Sequence, residues 1–257
     1  MNSSLEDKKN AFARLVNIMD DLRSKCPWDK KQTFQSLRNL TIEETYELAD
    51  AIINKDVQGI KEETGDLLLH MVFYAKIASE NDDWDIADAL NDICEKLIKR
   101  HPHIYGDWNV KDADEVKKNW EELKMKEGKK SVLSGVPESL PALIKAYRMQ
   151  DKTAQVGFEW NHIKDVVTKV REELDELTEA MEIGDAEKIE EEFGDVLFSL
   201  VNFSRFLKVD PETALEKINK KFKRRFEYIE EKASIPLKEM SLEDMDGLWN
   251  EAKAQGM

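Results

Sequence analysis

The stretch from Val170 to Asn202 decides the fold: Val-Arg-Glu-Glu-Leu-Asp-Glu-Leu at 170–177, and Glu-Glu-Glu-Phe-Gly-Asp-Val-Leu-Phe-Ser-Leu-Val-Asn at 190–202. It carries two carboxylate clusters, Glu172, Glu173 and Glu176, then Glu192 and Asp195. Residues three or four apart on a helix share a face, so each cluster presents its acids together. The break at Ile183-Gly184-Asp185 suits a helix stop followed by a capped restart, which turns the second helix back along the first. The two clusters then face one another and form a pocket for hard cations.

The same pattern occurs twice. Glu43, Glu44, Glu47, Glu63 and Asp66 stand at the same relative positions, each 129 residues earlier. At that offset Leu48 also matches Leu177, Asp56 matches Asp185, Gly65 matches Gly194 and Val72 matches Val201. With four residues removed from the following loop, Lys96 and Arg100 match Lys221 and Arg225, whereas Cys94 stands where the second half has Asn219. The chain is an internal duplication. It predicts two tandem domains, 1–127 and 141–257, joined by a linker over 128–140 that contains Gly135 and Pro137.

Composition agrees with an all-α fold of two helical bundles. Of 257 residues, 36% are charged and 41% hydrophobic, with only 10 glycines and 6 prolines. A formal charge of −15 argues against nucleic acid as a partner and for cations. Cys26 and Cys94 make no disulfide framework and read as ordinary buried thiols. The polar start Asn2-Ser3-Ser4 has no apolar signal region, and the longest apolar run, 67–78, is interrupted by His70 and Lys76. A cytoplasmic protein with no membrane partner is expected.

Helical periodicity predicts elements over about 5–25, up to Asn54, 57–80, 85–100, 112–127 and 141–154, then the two acidic helices. Asp210-Pro211 opens a further helix whose Leu215, Ile218, Phe222 and Phe226 read as a buried face, and 241–254 closes the chain. Phe158 and Trp160 read either as core packing or as a platform for a base. His101 and His103, flanking Pro102, read as a surface turn. Gly65 and Gly194 interrupt helices at a cost of about 1 kcal/mol relative to alanine, which close helix packing or simple duplication would explain.

Carboxylate donors without Cys or His select magnesium or manganese. So many acids in one bundle repel by roughly 4 kcal/mol per pair at about 4 Å and an effective dielectric near 20, a cost that bound cations remove. Lys221 and Arg225, one helical turn apart, suit phosphate oxygens, as do Lys96 and Arg100 in the first half. Acids plus a basic pair fit phosphoryl chemistry by a metal-activated water, without a covalent nucleophile. No glycine-rich phosphate loop or dinucleotide fingerprint is present.

These residues together resemble the MazG family of nucleoside triphosphate pyrophosphohydrolases. The resemblance covers nearly the whole chain. It rests on Cys26-Pro27-Trp28-Asp29 with Gln32-Thr33-Phe34, the acids of both repeats, Arg100-His101-Pro102-His103, Val156-Gly157-Phe158-Glu159-Trp160, and Lys221-Phe222-Lys223-Arg224-Arg225-Phe226. It implies bundles of the all-α NTP pyrophosphatase type in a homodimer. The implied reaction is magnesium-dependent hydrolysis of nucleoside triphosphates, ATP included, to monophosphate and pyrophosphate, with broad base selectivity and a role in clearing nucleotides.

The resemblance places catalysis in the second domain. Catalytic and metal-binding acids fall on Glu173, Glu176, Glu192 and Asp195, and nucleotide contacts on Lys169, Lys221, Arg225 and Trp249, with Asn219 nearby. Glu44, Glu47, Glu63 and Asp66 would bind metal in the first repeat. Two other readings remain: a narrow dUTPase-like pyrophosphatase, and a non-catalytic helical dimerisation or regulatory module.

Overall fold

A computed structural model describes residues 3–112, 115–116, 119–120 and 131–257. The helix expected over 112–127 and the start of the 128–140 linker lie largely outside the described residues. Among the described residues no strand occurs, so the all-α expectation holds. The chain divides into two compact units, Met1–Ala113 and Asp114–Met257.

The first unit comprises α1 (Leu5–Lys25), α2 (Phe34–Asn54), α3 (Val57–Ser79), α4 (Ile86–Arg100) and the short α5 (Pro102–Tyr105), with a 3-10 turn at Asp29–Lys31. Local chemistry sets the starts. Ser4 and Asp7, Thr33 and Ser36, and Asp85 and Asp88 form reciprocal caps that satisfy backbone amides left without helical partners. Met19, Leu37, Val72, Phe73 and Ile77 are the buried core, where α1, α2 and α3 meet.

Arg23 fastens this bundle. Its guanidinium donates to the carbonyls of Asp29 and Gln32 and to the Glu80 carboxylate, and lies 5.6 Å from the Phe73 ring centroid. It therefore ties the end of α1 to the following turn and to the end of α3. The Glu80 carboxyl is held below its ordinary pKa, chiefly by that hydrogen bond.

The second unit contains α6 (Ala142–Gln155), α7 (Ile163–Ile183), α8 (Ala186–Phe206), α9 (Pro211–Lys232) and α10 (Leu242–Ala254). α7 and α8 pack along one another, α6 lies on α8, and α9 packs on α10 and α6. Val166, Ala180, Val196 and Val201 are buried in the α7–α8 pair.

Both acidic helix pairs turn by the same device. At the first, Lys55 takes a left-handed conformation with φ 57°, and Asp56 caps α3 by accepting from the amides of Gln58 and Gly59 at 3.1 and 3.0 Å. At the second, Gly184 has φ 77°, and Asp185 caps α8 by accepting from Glu187 and Lys188 at 3.1 and 3.3 Å. Lys55 and Gly184 are equivalent in the repeat, and only glycine occupies that region without a Cβ penalty.

Three expectations need correction. Leu215, Ile218, Phe222 and Phe226 are 38–59% exposed, because α9 buries other residues, Tyr228 and Ile229 among them. A Cβ placed at Gly65 or Gly194 would meet nothing within 4 Å, so close packing within this chain does not account for either glycine. Cys94 is exposed and Cys26 only half-buried. Among the described residues no helix is long and apolar enough to cross a membrane.

The shared turn makes a prediction about stability. Lys55→Gly should stabilise the first unit by about 0.5–1 kcal/mol, and Gly184→Ala should destabilise the second by about 1 kcal/mol. Denaturant unfolding of the two variants reads both; no change in either would show that the left-handed position carries no strain.

Candidate active site

α7 contributes Glu173 and Glu176, one turn apart, and α8 contributes Glu192 from across the pair. One carboxylate oxygen from each lies within 4.8 Å of the other two. In the first unit Glu44 of α2 meets Glu63 and Asp66 of α3 within the same limit. Each repeat thus carries four expected acids and brings three together. Glu44 and Glu63 correspond to Glu173 and Glu192, while the third member differs: Asp66 in one unit, Glu176 in the other. Glu47 and Asp195 stand outside these trios.

The electrostatics reflect the crowding. Burial raises the Glu176 carboxyl above its ordinary pKa, and a hydrogen bond with Glu173 and the charges of Glu173 and Glu192 add to the effect. Glu44 is raised by burial first, then by the charges of Asp66 and Glu47. Glu63 is raised by burial, then by Glu47 and Glu44. Such groups favour a proton or a cation in place of mutual repulsion.

Lys169 supplies the counter-charge in the second unit. Its ammonium lies 2.7 Å from Glu172 and 2.9 Å from Glu173. These hydrogen bonds raise its pKa well above the usual lysine range. Glu173, only 6% exposed, is therefore a buried carboxylate whose charge is compensated. The first unit has no such lysine, since the equivalent position is Leu40.

Beside this lysine opens a cavity of about 530 Å³, with Lys169, Glu173 and Asp195 on its wall together with Phe158, Trp160 and Phe198. Phe158 is 81% exposed and Trp160 46%, so neither belongs to a core. Glu159 between them is fixed by an ion pair of 2.7 Å to Arg205. Gln150, Ser199 and Asn202 also line this space and were not singled out by the motifs. Their signal in the sequence lies where the two repeats differ, not where they agree.

The remaining expected contacts are placed elsewhere in the second unit. Asn219, Lys221 and Arg225 are on α9 and Trp249 on α10, and none lines the cavity. Arg225 donates to the Met257 carbonyl at 2.9 Å and stands 5.3 Å from the Trp249 ring centroid. Asn219 donates to Glu216 at 3.3 Å. Lys96 and Arg100 lie one turn apart on α4.

Fold and site together define an all-α protein with two duplicated carboxylate centres suited to hard cations. The family model described as MazG nucleotide pyrophosphohydrolase domain matches it twice, over residues 32–105 and 162–229. The chain is 46% identical over 250 residues to the nucleoside triphosphate pyrophosphohydrolase/pyrophosphatase MazG of Thermotoga maritima, covering 94% of this chain and 95% of that one. It is 42% identical over 258 residues to the nucleoside triphosphate pyrophosphohydrolase of Escherichia coli K12, covering 96% and 98%. A solved mazG-related protein from Thermotoga maritima aligns with 44% of this chain and 98% of its own at 28% identity and a TM-score of 0.40. The chain belongs to the MazG nucleotide pyrophosphohydrolase family.

The raised carboxyls set the pH behaviour without metal. A carboxyl whose folded pKa exceeds its unfolded value favours the folded state below the unfolded pKa, and that advantage is lost as pH rises through the folded pKa. In chelator, these groups should therefore lower the melting temperature progressively from about pH 4 upward. Glu176→Gln should raise the melting temperature of the chelated protein at pH 7 and weaken its response to magnesium. A scanning-calorimetry series with and without magnesium checks both; an unchanged melting temperature in Glu176→Gln would show that the cluster carries no strain.

Proposed function

We propose that the chain hydrolyses nucleoside triphosphates to nucleoside monophosphate and pyrophosphate, with magnesium as cofactor and the second unit as the working site. The observation that carries this reading is the trio Glu173, Glu176 and Glu192 beside a cavity large enough for part of a nucleotide, in a family whose relatives bear that activity in their names. The donor set fits the ion: three carboxylates on two helices, with no Cys or His among them. Manganese would substitute.

Glu173, Glu176 and Glu192 would hold the metal, and Asp195, one turn beyond Glu192, would hold it or orient the attacking water. When bound, magnesium neutralises phosphate charge and makes water a better nucleophile near neutral pH. Lys169, paired with Glu173 at 2.9 Å, holds that carboxylate in place. Lys221 and Arg225 would take phosphate oxygens, with Asn219 and Trp249 at the nucleoside. Base selectivity is broad in this reading, and the cellular task is clearing aberrant or excess nucleotides in the cytoplasm.

The working form is a homodimer. α9 leaves Leu215, Ile218 and Phe222 about half exposed, α8 does the same with Phe193, Leu197 and Leu200, and α4 with Leu90, Ile93 and Leu97. Apolar stripes of this kind suit a second copy of the chain better than water. The first unit, with the Glu44, Glu63 and Asp66 trio and the Lys96 and Arg100 pair, binds metal and serves mainly assembly or regulation. Glu47 stays at the edge of that site.

Pyrophosphate release from a panel of nucleoside triphosphates, dUTP included, tests the activity and its breadth. Magnesium-dependent release should fall by about 100-fold or more in Glu192→Ala, as expected for loss of a metal ligand, and little in Glu63→Ala. Equal losses in two folded, dimeric variants would overturn the division of labour. No release by the folded wild type would overturn the activity itself. Sedimentation equilibrium of the wild type and of Phe222→Asp reads the dimer, with dissociation expected in the variant.

A further inference from the structure

The loop over 156–162 joins α6 to α7 and carries Phe158 and Trp160 to the edge of the second unit's cavity. Its first half is set locally. Gly157 takes a left-handed φ of 90°, its amide donates to the Ala154 carbonyl and the Phe158 amide to that of Thr153, both at 3.0 Å, which ends α6 in a Schellman turn. The second half has no such support from the helix that follows. α7 starts at His162 without a side-chain cap, whereas Asp185 and Asp210 cap α8 and α9. With Phe158 81% and Trp160 46% exposed, packing does little to fix the two rings.

A chain of hydrogen bonds supplies what the cap does not. The Trp160 amide donates to Glu159 Oε1 at 3.1 Å, Arg205 Nη2 donates to Glu159 Oε2 at 2.7 Å, and Arg205 Nη1 donates to Asn202 Oδ1 at 2.9 Å. Asn202 and Arg205 stand one turn apart on α8, so the chain ties the loop backbone to a helix of the acidic pair. The Arg205 side chain is 12% exposed and that of Glu159 27%, so solvent screens this pair less than a fully exposed one. A planar guanidinium serves both acceptors at once, which the point charge of a lysine does not. At the 129-residue offset Asn202 and Arg205 correspond to Phe73 and Lys76; Phe73 enters the core and Lys76 turns to Asp20 of α1 at 2.7 Å. These positions therefore build the chain only in the unit that has the cavity.

We propose that Arg205 is a positioning residue of the second unit: it holds the 156–162 loop against α8, so that the loop's aromatic side chains stand in place before substrate arrives. This rests on the nucleotide-hydrolysing reading above. A loop already fixed does not have to be ordered on binding, and the benefit falls on substrate affinity. Arg205 bonds to Glu159 and Asn202 and to none of Glu173, Glu176 and Glu192, so the chemical step does not pass through it. Its loss therefore separates binding from turnover.

Two readouts on the full-length protein test this. In Arg205→Met, hydrogen exchange of the 156–162 segment should quicken while exchange in α7 and α8 stays as in the wild type. KM for nucleoside triphosphates in magnesium should rise about tenfold, with kcat and the manganese affinity read by electron paramagnetic resonance near their wild-type values. Glu159→Gln, at a more exposed side chain, should move both readouts the same way and serves if Arg205→Met misfolds. The double variant Glu159→Arg with Arg205→Glu reverses the pair and should recover part of the loss, since the Asn202 amide can turn over and donate. An ion pair that only stabilises would lower the melting temperature and leave KM and loop exchange unchanged in the folded variants, which would overturn the proposal, as would a fall in kcat as large as the rise in KM. Pyrophosphate release by the wild type reports separately on the activity: its absence would overturn that reading, and the exchange data would still decide whether Arg205 holds the loop.

Discussion

Three carboxylate oxygens held within 4.8 Å of one another are a constraint that the rest of each unit must satisfy. Charges at such separations repel by roughly 4 kcal/mol per pair at an effective dielectric near 20, so an unsupported arrangement would spread apart. Two packed helices prevent this. Their backbones are stiffened by capped ends at Asp56 and Asp185, and the left-handed residues Lys55 and Gly184 fix the reversal between them. Glu173 and Glu192 come from different helices, so their separation is a property of the helix pair. Raised carboxyl pKa values at Glu44, Glu63 and Glu176 mark the remaining strain, which protons or a divalent cation relieve.

Duplication has preserved that constraint in both units while the surroundings have diverged. In the first, apolar residues complete the core behind the acids, with Phe73 and Leu37 fully enclosed and Arg23 clasping the far end against Phe73 and Glu80. In the second, Lys169 and Asn202 stand where Leu40 and Phe73 would be, and a cavity opens beside Glu173. One backbone thus supports a closed bundle and an open one. The difference lies in side-chain volume and in one ammonium that neutralises a buried carboxylate.

The apolar residues left outside add a second theme. The stripes on α4, α8 and α9 are amphipathic by sequence, and their apolar residues stay about half exposed, although Trp249 of α10 lies 5.2 Å from the Phe222 ring. With a formal charge of −15 the chain has ample charge for solubility elsewhere, so these stripes are concentrated and not scattered. Concentrated apolar surface on helices of a small bundle marks an interaction site.

Much of this was legible in the sequence because it depends on short-range periodicity. Helix extents follow from apolar spacing and from Asp, Ser and Thr caps, and the offset of 129 residues between Glu44 and Glu173 declares the duplication. The acids that meet were named as well, since i, i+3 and i, i+4 spacing is a local property. Tertiary structure decided what local spacing does not encode: which three of each four acids converge, that Leu215, Ile218 and Phe222 lie outside, and that Phe158 and Trp160 border a cavity. It also brought Gln150, Ser199 and Asn202 to one space, though they come from two helices 49 residues or more apart in the chain. Periodicity fixes a face of one helix, whereas a cavity is the volume left between several, and that volume exists only once the helices are packed.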